Sequence, residues 1–240
     1  MKKYWKAAVA IALVLALGFG CGIYLGDYYE ADATALAALN GSDNVQVTQA
    51  EDMVVFSPEE PNAGLIFYPG GKVEYTAYAP LMQALAEQDV LCVLVRMPFH
   101  LAVLDMNAAD GIAERFPQVD RWYLGGHSLG GSMAANYAAS HGEDYAGLVL
   151  LAAYATKDLT ATDLDVISLY GSQDGVMRME KYETYREMLP EDTVEYVIEG
   201  GNHAGFGSYG AQDGDGEAAI SREEQIRMTV AQLCQMFEKE

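Results

Sequence analysis

From Gly64 onward the chain adopts one rhythm, in which short apolar runs alternate with stretches of helical period, and few folds accept that order. The runs 65–68, 90–97, 122–124, 145–151, 166–170 and 194–198 are too short for buried helices and read as strands. Between them helices are predicted around 78–88, 108–116, 129–139 and 179–189. A last helix opens on a capping box, Ser221 to Glu224, and carries Ile226, Val230, Leu233 and Phe237 along one face. Strands that are apolar throughout, each followed by an amphipathic helix, predict an α/β fold with a mostly parallel central sheet covered by helices on both faces. Upstream, 45–48 and 53–56 read as two further strands, with acidic residues at the turn between them.

The N-terminus obeys a different logic. Lys2, Lys3 and Lys6 precede the run 7–25, which has no charge, and Asp27, Glu30 and Asp32 follow it. That run is long enough to span a bilayer as a helix, and lysines before it with acids after it predict a cytoplasmic N-terminus. The expected division is therefore 1–29 as a transmembrane signal-anchor, 30–44 as a linker or juxtamembrane helix, and 45–240 as the α/β domain. After the anchor, the Ala-rich stretch 28–39 is expected to continue as a helix that lifts the domain off the membrane and ends at Asn40-Gly41. The expected location is the cell membrane, single-pass, with the domain outside the cytoplasm. A lipoprotein carried on Cys21, or secretion after cleavage, are the alternatives; the Leu17-Gly18-Phe19-Gly20 region matches a cleavage site only roughly.

Composition narrows the partners. At 240 residues, 51% hydrophobic and 20% charged, the chain suits one full-sized domain and excludes a disordered protein. The formal net charge is −21, and −24 once the three lysines of the N-terminal flank are set aside. Such a surface repels nucleic acid, whose binding needs Lys/Arg patches absent here. Three cysteines do not make a disulfide framework: Cys92 and Cys234 fall on apolar faces and read as small buried hydrophobes, with a bridge between them left open.

In an open α/β sheet, ligands bind beyond the carboxyl ends of the strands. The segments expected to converge there are 69–72, 98–100, 125–131, 172–175 and 200–203. Among them Gly126-His127-Ser128-Leu129-Gly130 sits between a predicted strand and a predicted helix, the strand–turn–helix setting that exposes a serine on a sharp corner. Ser128 is the candidate nucleophile. Serine needs an adjacent base, itself oriented by a third group. His127, although adjacent, is pinned by the corner with its side chain directed elsewhere, and His141 ends a helix; His203, in a glycine-rich loop after the last strand, is the candidate base. Asp174, directly after the strand 166–170, is the candidate orienting acid, with Asp163, Asp165 and Glu199 as competitors; the first two precede their strand and point to its wrong end. The backbone N–H of Leu129 and that of Gly71 are the candidate oxyanion donors, with Lys72 close behind. Gly70-Gly71-Lys72 lacks the spacing of a P-loop, and 213–217 lacks that of an EF-hand, so neither a nucleotide cofactor nor a metal is expected.

Taken together, 67–72, Gly126-His127-Ser128-Leu129-Gly130-Gly131, Gly171-Ser172-Gln173-Asp174-Gly175 and Gly201-Asn202-His203 resemble the α/β-hydrolase superfamily. More narrowly, they are similar to its compact membrane-anchored bacterial branch, grouped with dienelactone-hydrolase-like and esterase/lipase-like proteins. The resemblance covers about 64–237 and implies a Ser128–His203–Asp174 triad acting through an acyl-enzyme. It departs from the usual pattern at Tyr68-Pro69, which replaces the His-Gly start of the oxyanion loop, and at Ser128 itself, which replaces the cysteine of true dienelactone hydrolases. The interval 152–165 is too short for a large cap, so an open site is expected. Phe99, His100, Tyr154, Phe206 and Tyr209 could line an apolar pocket beside Lys72, and the tail 207–217 could close over it. The implied function is hydrolysis of a carboxylic ester, on a small-molecule or lipid-like acyl substrate, without cofactor. Acyl transfer or amide hydrolysis by the same residues, and a non-catalytic envelope-associated binding protein that keeps the fold, are the alternatives.

Overall fold

The computed structural model describes residues 26–238 continuously, and residues 4, 5, 9, 14, 15, 20 and 22 before them. The apolar runs form the strands β1 (Val45–Gln49), β2 (Met53–Pro58), β3 (Ala63–Tyr68), β4 (Val90–Val95), β5 (Trp122–His127), β6 (Gly147–Leu151), β7 (Asp165–Gly171) and β8 (Val194–Ile198). They join in one sheet of order β1-β2-β4-β3-β5-β6-β7-β8. The hairpin β1–β2 is antiparallel and adds to β4 antiparallel, while β4, β3, β5, β6, β7 and β8 run parallel.

Alternation along each strand divides the core in two. Leu65 and Phe67 of β3, with Cys92 and Leu94 of β4, face one side, where they meet α2 (Ala79–Ala86) and α5 (Arg222–Phe237). Ile66, Tyr68, Leu91 and Val93 face the other and meet α3 (Leu129–His141). The inner strands β3, β4, β5 and β6 are thus buried at every position, which is why their sequences do not alternate polar and apolar, whereas the edge strands β1 and β8 are largely exposed. The expected α/β architecture with helices on both faces is what the chain forms. Between β6 and β7, residues 152–164 hold no helix or strand. Ser221 caps α5 by accepting the Glu224 N–H at 3.2 Å, but the reciprocal half of a capping box is replaced by a Glu224–Arg227 pair.

Two helices differ from expectation. The stretch 108–116 makes consecutive turns and one short 3-10 segment, Ala113–Arg115, in place of an α-helix. Its bonds run from residue i+3 to i, as in Asp110 N–H to Asn107 and Ile112 N–H to Ala109, and Gly111 sits at φ +70°. Three-residue spacing buries Ala109 and Ile112 without an α-helix. The second is 28–39, of which only α1 (Ala33–Ala38) is helical. Asp32 stops it from the N-terminal side, capping Thr34 and Ala35 through Oδ1 while Oδ2 pairs with Arg222 at 2.8 Å. Residues 27–32 instead run extended over the domain: the Tyr29 N–H donates to Lys72, and the Glu74 N–H donates to Tyr29. The expected transmembrane segment lies mostly outside the described residues; among those described, no helix is long and apolar enough to cross a membrane. Cys92 and Cys234 are free thiols, and burial pushes that of Cys92 up.

Candidate active site

Backbone strain is concentrated at one end of the sheet. Among the described residues six non-glycine residues have positive φ, and five of them follow parallel strands: Lys72 after β3, Phe99 and His100 after β4, Ser128 after β5 and Ala152 after β6. The sixth, Asp89, is the turn that enters β4. Such conformations cost about 1–3 kcal/mol each and persist where the surroundings over-determine them. Ser128 is the sharpest case, at φ 51° and ψ −122°. Its corner is possible because Gly126 and Gly130 carry no side chain. A Cβ on Gly126 would meet Gly131 N and the Tyr68 carbonyl oxygen at 2.7 Å, and one on Gly130 would collide with the carbonyls of Tyr68 and Pro69. The close approach of β3, β5 and α3 thus leaves Ser128 half-buried at the start of α3, with its N–H bonded to Leu151 at 2.9 Å.

Asp174 and His203 meet across the loops that follow β7 and β8. Asp174 Oδ2 accepts from His203 Nδ1 at 2.8 Å, with both side chains 1% exposed. Asp174 Oδ1 accepts from the Val176 and Met177 N–H groups at 2.9 and 2.7 Å. A carboxylate held this way can only accept, so Nδ1 carries the proton and His203 Nε2 keeps its lone pair. Nε2 is buried and has no hydrogen-bond partner, and no hydrogen bond joins it to Ser128 Oγ in this structure. Of the acids weighed for this role, Asp174 makes the bond to His203 Nδ1.

His127 points beneath His203, not toward solvent. Their ring centroids are 4.5 Å apart, and His127 Nδ1 lies 2.7 Å from the Tyr78 hydroxyl. That hydroxyl accepts the Gly70 N–H at 3.0 Å, which leaves its own proton for Nδ1. Burial first, and His203 second, hold the His127 pKa well below the ordinary histidine value. Its Nε2 meets no group in hydrogen-bond geometry, although the His203 backbone is near enough to oppose that shift. His127 is a neutral floor under His203.

The loop after β3 divides its donors. Gly70 spends its N–H on Tyr78 and Lys72 donates to the His100 carbonyl at 2.8 Å, whereas the Gly71 N–H donates to no described residue. Gly71 packs on Leu129, whose side chain a Cβ would meet at 2.9 Å. Leu129 opens α3, where N–H groups have no intrahelical acceptor.

The expected pocket residues disperse. Phe99 is 61% exposed. His100 stacks on Tyr28 with ring centroids 4.0 Å apart, and burial lowers its pKa. The Lys72 ammonium pairs with Asp27 at 2.7 Å. Tyr154 stacks on Tyr185 at 5.3 Å. Phe206 is fully buried against His127, and Tyr209 is buried as well, so neither lines an open surface.

Three residues escaped the sequence reading. Asp215, in the tail read as a flap, ties the acid and histidine loops together: its Oδ1 accepts from Gly175, His203 and Gly216 at 3.1, 3.2 and 2.9 Å, and its Oδ2 from Ala204 at 2.8 Å. From behind, buried Gln225 accepts the Asn202 N–H at 3.0 Å and donates to the Asn202 carbonyl at 2.8 Å. Tyr78 is the third. None stands at a fixed spacing from its partners, and only an Asp within a Gly-Asp-Gly string hinted at a turn. Among the described residues no cluster of His, Cys, Asp and Glu could hold a metal ion.

An eight-stranded sheet of this order, with a strained serine, a histidine and a carboxylate brought to its carboxyl edge, defines a class. The chain belongs to the alpha/beta hydrolase family, whose pattern it matches over residues 64–227. Solved structures with the same fold include TT1662 from Thermus thermophilus, 18% identical with TM-score 0.59, over 82% of this chain and 99% of that one. Est1E from Butyrivibrio proteoclasticus, solved with ferulic acid bound, is 14% identical with TM-score 0.61, over 82% and 98%. A hyperthermophilic esterase from the archaeon Pyrobaculum calidifontis is 15% identical with TM-score 0.62, over 85% and 88%. No curated protein matches the chain in sequence.

Proposed function

We propose that the protein is a serine hydrolase that cleaves a carboxylic ester through an acyl-enzyme on Ser128. The observation that carries this reading is the Asp174–His203 hydrogen bond, which leaves a basic Nε2 in the same cluster of loops as the strained Ser128. Ser128 Oγ attacks the acyl carbonyl while His203 Nε2 takes its proton, and the imidazolium that forms is stabilised by Asp174. The oxyanion is received by the N–H groups of Leu129 and Gly71. His203 then returns the proton to the leaving alcohol, and water repeats the sequence to release the acid. His127 stays out of this exchange because its Nδ1 is engaged by Tyr78 and burial disfavours its charged form. A structural neighbour named as an esterase supports an ester as the bond cleaved.

Residues 1–29 are proposed as the membrane anchor of this enzyme, with the domain outside the cytoplasm, on the strength of the lysine-rich and acidic flanks of the run 7–25. The intact N-terminal mass of protein from purified membranes tests that reading, and a chain beginning at Cys21 or later contradicts it. For the catalytic reading, a fluorophosphonate probe should label the wild type and not Ser128→Ala. A well-folded wild type that resists labelling would sink it. Product analysis with an added alcohol or amine separates hydrolysis from acyl transfer.

A further inference from the structure

We propose that the loop 98–106 is an apolar lip that docks the mouth of the site onto the bilayer, so that the substrate is an acyl ester drawn from the membrane. This rests on the ester-hydrolase and anchor readings above and adds to them a surface and a substrate source. Phe99, Val103, Leu104 and Met106 are 61%, 51%, 55% and 40% exposed, all within eight residues. From residue 26 on, the other large apolar side chains so exposed are Leu36, Val194 and Val197, which lie on α1 and on the edge strand β8. Scattered exposed apolar residues are ordinary, whereas a group of them beside a site marks an interaction surface.

The lip is built and held. Phe99 and His100 adopt φ of 51° and 58°, which turns successive side chains outward. The Tyr68 hydroxyl, reaching up from β3, donates to the Met106 carbonyl at 2.8 Å and accepts the Ala109 N–H at 2.9 Å. Ala102 is fully buried beneath, and the His100 carbonyl accepts the Lys72 N–H, which ties the lip to the loop that carries Gly71. An apolar side chain displayed on a pinned backbone is ready to bury against something without further ordering.

Two features select a bilayer as the occupant. The chain holds 35 Asp and Glu against 14 Lys and Arg, yet in the lip 98–106 Asp105 is the single acid, so an acidic domain can approach a lipid surface here. Its contact must be apolar insertion, because an acidic domain gains nothing from anionic headgroups. Gly26, the residue after the uncharged run 7–25, also lies within reach of the lip. Tyr28 stacks on His100, and Gly26 to Tyr28 span at most about 10 Å of chain. An anchor in the membrane therefore brings Phe99 and its neighbours to the same surface, and an acyl chain can pass from the bilayer toward Ser128 without crossing bulk water.

The full chain in phosphatidylcholine vesicles with brominated acyl chains tests the placement. In a Trp5→Phe background, with the emission of buried Trp122 subtracted, the tryptophan emission added by Leu104→Trp should be quenched, while that added by Val194→Trp on β8 should not. Leu104→Trp emission that is unquenched, as it would be with a partner protein or a second copy in place of lipid, overturns the proposal, and so does equal quenching at both positions. For the substrate, Val103→Ser/Leu104→Ser should lower turnover of a vesicle-embedded long-chain ester about tenfold. Turnover of a soluble short-chain ester should stay within about twofold of wild type. Equal effects on the two esters overturn the membrane route. If the wild type cleaves neither ester while Leu104→Trp is quenched, docking stands and the hydrolase reading is what fails.

Discussion

Asp174 does more than supply a negative charge, because its two oxygens have different jobs. Oδ1 takes two backbone N–H groups that fix the loop, and Oδ2 fixes which nitrogen of His203 carries the proton. Asp174→Asn can keep the first and reverses the second: its amide donates to Nδ1 and moves the proton to Nε2, the nitrogen that the proposed mechanism uses as base. Steady-state kinetics should show kcat lowered about 10^4-fold with little change in KM; a loss confined to KM would assign Asp174 to binding. Asp215 acts one step back, by fastening the Asp174 and His203 loops to each other. Asp215→Ala should lower kcat about 10^2-fold, with Asp215→Asn recovering most of it because Oδ1 can still accept three N–H groups. A third expectation concerns pH. Folded His127 stays neutral well below the ordinary histidine range, while the unfolded chain takes up a proton there at about 6.5. Below that value the unfolded state binds more protons, so stability falls as pH falls; above it the contribution vanishes. Urea melts from about pH 7 to pH 5 should lose up to about 1.4 kcal/mol per unit from this residue. His127→Gln should flatten that slope, and an unchanged slope would contradict the account. Ser128, Asp174 and His203 could be singled out from the sequence because motif and order mark them. Asp215, Gln225 and Tyr78 could not, since a side chain that bonds the backbone of distant loops leaves no spacing to read.

At the scale of elements, the elbow shows why a short string carries so much. β5 must end and α3 begin within one residue while the end of β3 crosses at van der Waals distance, and that crossing leaves no room for a Cβ at Gly126 or Gly130. Gly130→Ala should therefore cost about 3 kcal/mol in a urea melt. Gly111→Ala, at φ +70° but with open space around it, should cost only about 1–2 kcal/mol. Equal losses would mean that backbone conformation, not crowding, sets the requirement. The inner strands β3, β4 and β6 were readable because each is an unbroken apolar run, and α2, α3, α4 (Met179–Arg186) and α5 were readable from their periods. The helix expected at 108–116 was not, because apolar residues three apart suit successive turns as well as a helix, and Gly111 tips the choice. Likewise the Ala-rich 28–39 favours helix locally, but Asp32 is claimed by Arg222, far away in sequence, and the segment before it lies against the domain.

For the molecule as a whole, strand order explains why residues so far apart in sequence can cooperate. β3, β5, β7 and β8 lie in one parallel array, so the loops after them emerge on a single edge, with Gly71, Ser128, Asp174 and His203 each in the loop after one of them. The sequence showed the alternation that dictates a parallel sheet, and hence that these loops converge. It could not show how the N-terminal strap and the 98–106 lip meet, since the Tyr28–His100 stack depends on a tertiary path. The central claim is that Ser128, His203 and Asp174 act as one unit on an acyl bond. Turnover of a soluble short-chain ester by Ser128→Ala, His203→Ala and the double variant tests it most directly. Each single change should lower kcat by about 10^6-fold, with the double no worse than either, because removing a second member of a broken unit removes nothing more. Activity that survives Ser128→Ala, or losses that multiply in the double variant, would contradict it.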